Sequence, residues 1–296
     1  MGNSINLINC EDYVQSANTL FHFMQKEDYL FNAIETKLLY PRYCIEDISY
    51  LNLNFNGKSF DSIAVLQKCF CDIPIHQITR KFPLQPVDEG DKAFSEESSH
   101  PDFYGKYAIA FSKQWGTKNG LQPVHYVNPE SYDTLSLKSY FEYLLSKEDI
   151  DPEIEDEMIE RLVYLKPLRG TMTRNINGKN IAYIKNFHDE REWRYVPGKS
   201  ISEKYDLERL FYQKDLKDEY VRISNNIASD RYAELALKFE IEDIRYIIVP
   251  DQESRNNLIK KIFDIKDLGM AEMDDNYVKM ILISKILVLD QIEKDW

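Results

Sequence analysis

Thr19–Met24, TLFHFM, is a short mixed apolar run, and the following KEDYLFNAIETKLL spaces Tyr29, Leu30, Ala33, Ile34 and Leu38 helically. A strand leading into a helix is predicted, with Pro41 as the stop. YPRYC then enters a polar stretch in which Asn56-Gly57 marks a hairpin turn. Residues 63–73, IAVLQKCFCDI, form a buried strand by apolar and β-branched content, closed by Pro74, with a small helix up to Arg80. Residues 83–102 contain three prolines, several acids and a Ser-Ser pair, so a mobile surface loop able to cover a site is expected there. KYAIAFS (106–112) is the next strand, with Ser112 able to cap the turn SKQWGTKNG, and PVHYVN after it is another. Helical spacing returns from Tyr132 to Leu145, and the acidic segment 150–160 suits an exposed helix start. Strands are predicted at 180–186, 192–196, 235–239, 244–249 and 282–289, with a helix from Ser254 to Phe263. Short strands with interspersed helices imply α+β, with mixed or antiparallel sheets. No composition break divides residues 1–296 into more than one domain.

Composition narrows the function classes. The chain is 43% hydrophobic and 13% aromatic, enough for a substantial core. Its 37 basic and 50 acidic residues leave a formal charge of −13, which disfavours nonspecific attraction to nucleic acid or an anionic membrane. No basic leader precedes a long apolar run and nowhere do 18 apolar residues follow one another, so an intracellular, cytoplasmic protein with no membrane partner is expected. Gly2 and Ser4 suggest myristoylation, but Asn6 stands where Ser or Thr is required. Cys10, Cys44, Cys69 and Cys71 are too sparse for a disulfide framework and read as reduced thiols. Cys69, Cys71 and His76 lack the second ligand pair of a zinc site, so no metal is expected.

The densest chemistry lies in FHDEREWRYV, residues 187–196. Glu190 and Glu192 are two apart, and strand alternation would aim both carboxylates one way. Like charges that close need a cation between them or a shared proton, an arrangement found at catalytic sites. The same segment also has an architectural reading: Trp193 and Tyr195 pack the core while Arg191 and Arg194 bridge to acidic loops. In the N-terminal half, His22, Tyr104 and Tyr107 stand on or near strands. His22 alternates against Phe21 and Phe23, which by default makes it a core histidine bonded to a backbone carbonyl. Gly105 permits either a turn or a close backbone approach. A carboxylate such as Glu192 suits a reaction through an oxocarbenium ion, as in glycosidic cleavage. There is no glycine-rich phosphate loop, no G-x-S-x-G and no H-E-x-x-H, so P-loop ATPase, serine hydrolase and zincin fit poorly.

PRYC at 41–44, CFCDIP at 69–74, YGKYAIAFSKQWG at 104–116, PVHYV at 123–127, LKP at 165–167 and EREWRYVP at 190–197 together resemble the AbiGi family of bacterial abortive-infection proteins. That resemblance implies phage defence, as the antitoxin half of a two-gene system with a nucleotidyltransferase-like toxin as partner. A fainter likeness follows the His-Tyr-Glu order of ADP-ribosyltransferases: His22 in LFHFM, Tyr107 in GKYAIAFS and Glu192 opening EWRYV. It implies an ADP-ribosyltransferase-like fold acting on NAD. His22 would then bond the nicotinamide ribose, Tyr107 or Tyr104 would stack on the ring, Glu192 would act on the 2′-hydroxyl and Glu190 would orient the acceptor. Two expectations therefore stand: an enzyme that transfers ADP-ribose or cleaves NAD, and a non-catalytic antitoxin that binds a cognate toxin.

Overall fold

The computed structural model describes residues 16–55, 58–147, 149–176, 178–211, 224, 227, 229–266, 268 and 274–295. Cys10, the N-terminal Gly2 and the Asn56-Gly57 turn lie outside them. In chain order the main elements are β1 (Thr19–Met24), α1 (Glu27–Thr36), β2 (Arg42–Asp47), β3 (Ser62–Cys71), α2 (His100–Tyr104), β4 (Tyr107–Ser112), α3 (Lys113–Lys118), β5 (Gln122–Pro123), β6 (His125–Val127), α4 (Tyr132–Leu145), α5 (Pro152–Leu162), β7 (Leu165–Pro167), β8 (Arg169–Ile176), β9 (Lys179–Asn186), β10 (Glu192–Tyr195), α6 (Lys199–Lys204), β11 (Leu210–Phe211), β12 (Ile244–Val249), α7 (Gln252–Asp264), α8 (Asp275–Ser284), β13 (Ile286–Val288) and α9 (Leu289–Asp295). The fold class is α+β.

The central sheet runs β5-β10-β3-β1-β4-β12-β13, and β2 and β11 pair with the first half of β3. Its ladders are antiparallel except for β12 with β13. β3 is ten residues long, so it belongs to two neighbourhoods: residues 62–67 meet β2 and residues 68–71 meet β10. Alternation along β1 and β4 divides the core. Leu20, Met24, Ile109 and Phe111 enter one cluster with side chains of α1, α3, α7 and α8, while Phe21, Phe23, Ala108, Ala110 and Cys71 enter another on the reverse face. A further cluster seats Phe141 and Leu144 of α4 and Met158 and Leu162 of α5 against Ile63 and Val65 of β3.

Several boundaries differ from the sequence expectation, each for a local reason. α1 ends before Pro41, because Lys37 adopts a left-handed conformation at φ 55° and Leu38–Leu39 pairs with Leu237–Lys238. The apolar run from 282 is split: Leu282 is a buried residue in the last turn of α8, and β13 starts only at Ile286. PVHYVN divides at Val124, whose N–H donates to the Glu192 carbonyl at 3.0 Å, so β5 joins β10 while β6 joins β7. Residues 83–102, expected as a surface loop, carry structure: Phe82–Leu84 pairs with Glu96–Ser98, a 3-10 turn spans Glu89–Phe94, and Leu84 and Phe103 pack with Ile181 and Tyr183 of β9. The hairpin partner β8 went unpredicted, since its exposed and half-buried residues alternate without a strong apolar stripe.

Candidate functional site

Glu190 and Glu192 do converge, through a turn and not through strand alternation. Glu190 closes a 3-10 turn (Phe187–Glu190), and Arg191 at φ 45° swings the chain into β10, where Glu192 is the first residue. Both carboxylates are 5% exposed, and both reach the ammonium of Lys166, at 3.3 Å from Glu190 and 2.5 Å from Glu192. Lys166 arrives on β7, whose parallel pairing with β6 sets Tyr126 directly beside it. Tyr126 accepts the Glu192 backbone N–H at 2.8 Å. β9 aims Ile181, Tyr183 and Lys185 inward by alternation, so Lys185 meets Glu190. α2, fastened by a reciprocal Ser99–Asp102 cap, brings the Tyr104 hydroxyl onto the same Glu190 oxygen and sets the His100 ring tilted against Tyr104 with ring centroids 4.6 Å apart. Arg194, fully buried, donates from Nε to Glu192 at 2.6 Å and from Nη1 to the Val163 carbonyl at 2.7 Å, and pairs through Nη2 with Glu46 at 2.9 Å.

The electrostatics follow from this packing. Three carboxylates, Glu46, Glu190 and Glu192, face three cations, Lys166, Lys185 and Arg194, so the cluster is charge-balanced. Burial by itself raises the Glu190 pKa, but Lys166 and then Lys185 outweigh it and hold the carboxyl at about 2. For Glu192 burial is likewise overcome, first by Arg194 and then by Lys166, leaving it well below the carboxylate range. Burial pushes Tyr104 well up, aided by Glu190, and lowers His100 to about 3 despite the opposing pull of Glu190. Burial also raises the thiols of Cys69 and Cys71 well above their ordinary value, which makes them poor nucleophiles. All four oxygens of Glu190 and Glu192 already accept from a cation or hydroxyl. Among the described residues no group of three or more His, Cys, Asp or Glu could hold a metal ion.

His22 and Tyr107 lie elsewhere. Phe21 stands opposite Cys71, and Cys71 opposite Glu192, so these three share one face of the sheet. His22, one residue on from Phe21, and Tyr107, opposite Met24, take the other. The His22 ring donates from Nδ1 to the Cys69 carbonyl at 2.8 Å, which leaves Nε2 to accept from the Lys68 ammonium at 3.3 Å. Burial, then Lys68, hold this imidazole well below its usual pKa. The Tyr107 hydroxyl lies 3.3 Å from Ser254 of α7. Of the sequence candidates, the structure thus gathers Glu190, Glu192 and Tyr104, and separates them from His22 and Tyr107 by the thickness of a sheet.

Reading the sequence missed Lys166, Lys185, His100, Tyr126 and Glu46. A signal existed for Lys185, a cation on the apolar side of the alternating run IAYIK. His100 and Tyr126 carried none, since each reaches the cluster only through pairing distant in sequence.

Residues 87–250 match the model of the family described as abortive phage resistance protein AbiGi, antitoxin. An "Abortive phage resistance protein AbiGi" from Lactococcus lactis subsp. cremoris is 34% identical over 270 residues, covering 86% of this chain and 98% of the relative. No solved structure matches the chain.

Proposed function

The chain belongs to the AbiGi family of abortive phage resistance proteins, and from that premise we propose that it is the antitoxin of its system, a non-catalytic protein that binds and neutralises a cognate toxin. One observation carries this reading. The carboxylates that would serve ribosyl transfer are fully engaged in a buried, charge-balanced network on one face of the sheet, where the Tyr104 hydroxyl is itself bonded to Glu190, and the His22 imidazole and Tyr107 phenol are on the other. Freeing Glu192 for a ribose hydroxyl would mean breaking its bonds to Arg194 and Lys166, an uncompensated loss of about 3–5 kcal/mol. Such a network makes the fold intolerant of losing any one partner. Because it is neutral, it also leaves the whole formal charge of −13 to the rest of the molecule, where it can attract a basic surface.

The deciding experiment pairs two assays on wild type and Glu192→Gln. Rescue of cells expressing the toxin of the same two-gene system should be equal for both at temperatures where both are folded. NAD loss and labelled ADP-ribose transfer should be absent from both. NAD consumption that wild type shows and folded Glu192→Gln lacks would overturn the antitoxin reading and restore NAD as the substrate.

A further inference from the structure

Most helices in a protein of this size bury one apolar stripe and show water a polar one. α4 departs from that rule. Its inner side, Thr134, Leu137, Tyr140, Phe141 and Leu144, packs into the core cluster shared with α5 and β3. Its outer side sets three large side chains among serines: Tyr132 is 90% exposed, Leu135 54% and Tyr143 59%. On a helix turning about 100° per residue these three, with exposed Ser139 between them, fall within about 80° of one another and span about 16 Å of axis. Lys147 covers part of the stripe, its ammonium 4.4 Å from the Tyr143 ring centroid. Three large side chains in line, with no core use, are an expense in solubility that surfaces carry when they meet a partner.

The charge around the stripe says which partner. Residues 130–162, containing α4 and α5, hold eleven acidic and three basic side chains; Asp156 and Glu160 pair with Lys199 and Arg209 from outside the segment, which leaves a local excess of six negative charges. Glu153, Glu155 and the 41% exposed Ile154 stand on the first turn of α5, the next helix in the chain, whose Met158 and Leu162 share the core cluster of α4. A second copy of the chain would bring the same negative field against itself, and a nucleic acid or anionic membrane would be repelled alike. What fits is a protein surface with basic residues around apolar pockets able to receive two tyrosines and a leucine. We infer that the outer face of α4, together with the acidic first turn of α5, is where the toxin docks, through a basic, pocketed surface; this rests on the antitoxin reading.

The test uses the full chain and the purified toxin of the same two-gene system, with affinity measured at 50 and 300 mM salt. Y132A/L135A/Y143A removes the stripe, and E153K/E155K, the rim variant, reverses the charge of the first turn of α5. F263A/M280A removes an exposed apolar pair on α7 and α8, which pack in a different cluster. All the substituted side chains are exposed, so the melting temperatures should stay close to wild type. The stripe variant should bind at least about 100-fold more weakly, as aromatic anchors at an interface centre do. The rim variant should lose about tenfold at low salt and flatten the salt dependence, while the control pair binds as wild type does. Wild-type affinity in both the stripe and the rim variants, with wild type itself binding, overturns the docking surface and leaves the antitoxin reading intact. No binding and no neutralisation by wild type at low salt overturns the antitoxin reading, and the docking surface with it. Should the stripe variant fail to fold, the rim variant decides by the same criterion.

Discussion

Replacing Glu192 by Gln removes one charge and almost no volume from the centre of the buried network. The amide oxygen can still accept one bond, but its NH2 must then face either Arg194 or Lys166, donor against donor. Neither cation is left bare, since Arg194 keeps Glu46 at 2.9 Å and Lys166 keeps Glu190 at 3.3 Å. Breaking a buried pair from one side costs about 3–5 kcal/mol, and these remaining partners place the expectation near the lower end. Unfolding entropy of about 2.1 cal/mol/K per residue amounts to ~0.6 kcal/mol/K for a chain of this length, so the melting temperature should fall by about 5 °C. Calorimetry at pH 7 and low salt measures this directly. The loss should be greatest above pH 5 and shrink in acid, because a depressed carboxyl pKa contributes stability only above its unfolded value and forfeits it as pH falls toward the folded one. A shift under 2 °C, or one that ordinary salt abolishes, would refute the claim that this carboxylate is a buried structural counterion.

The remaining expectations probe other parts of the same construction. His100, held neutral with a pKa of about 3 against an ordinary 6.5, contributes stability that is complete above pH 6.5 and declines as pH falls below it. His100→Phe should flatten the melting temperature between pH 6.5 and 4, and an unchanged slope would show that the imidazole protonates in place. Burial, then Arg42, lower the Lys68 ammonium to about 8, so the folded chain carries a cost below that pH which fades as pH rises toward 10.5. Lys68→Met should therefore raise the melting temperature at pH 7 and lose that advantage by pH 10; a larger gain in alkali would contradict it. Gly105 sits at φ +112°, and a Cβ there would lie 2.1 Å from the Met24 carbonyl oxygen. Gly105→Ala should cost more than about 3 kcal/mol by denaturant titration, with a change under 1 kcal/mol counting against this close approach of α2 to β1.

Much of the frame is readable one segment at a time. Apolar alternation and β-branched content locate β1, β3, β4 and β12, and the 3.6-residue period places α4 from Tyr132 to Leu145 without error. The proximity of Glu190 and Glu192, the burial of Trp193 and the acidity of α5 follow from adjacent letters of the chain. These are local properties, governed by residues a few positions apart. Which face of the sheet a strand residue occupies is different, because it depends on register with strands 50 to 170 residues away. That register puts Glu192 behind the sheet from His22, and the β6–β7 and β8–β9 pairings deliver Lys166 to both carboxylates and Lys185 to Glu190. Sequence alone set the two carboxylates side by side with Arg194 next to them; only long-range pairing decided that Lys166 and Lys185 would join them, since a buried charge must find its partner wherever the folded chain supplies one.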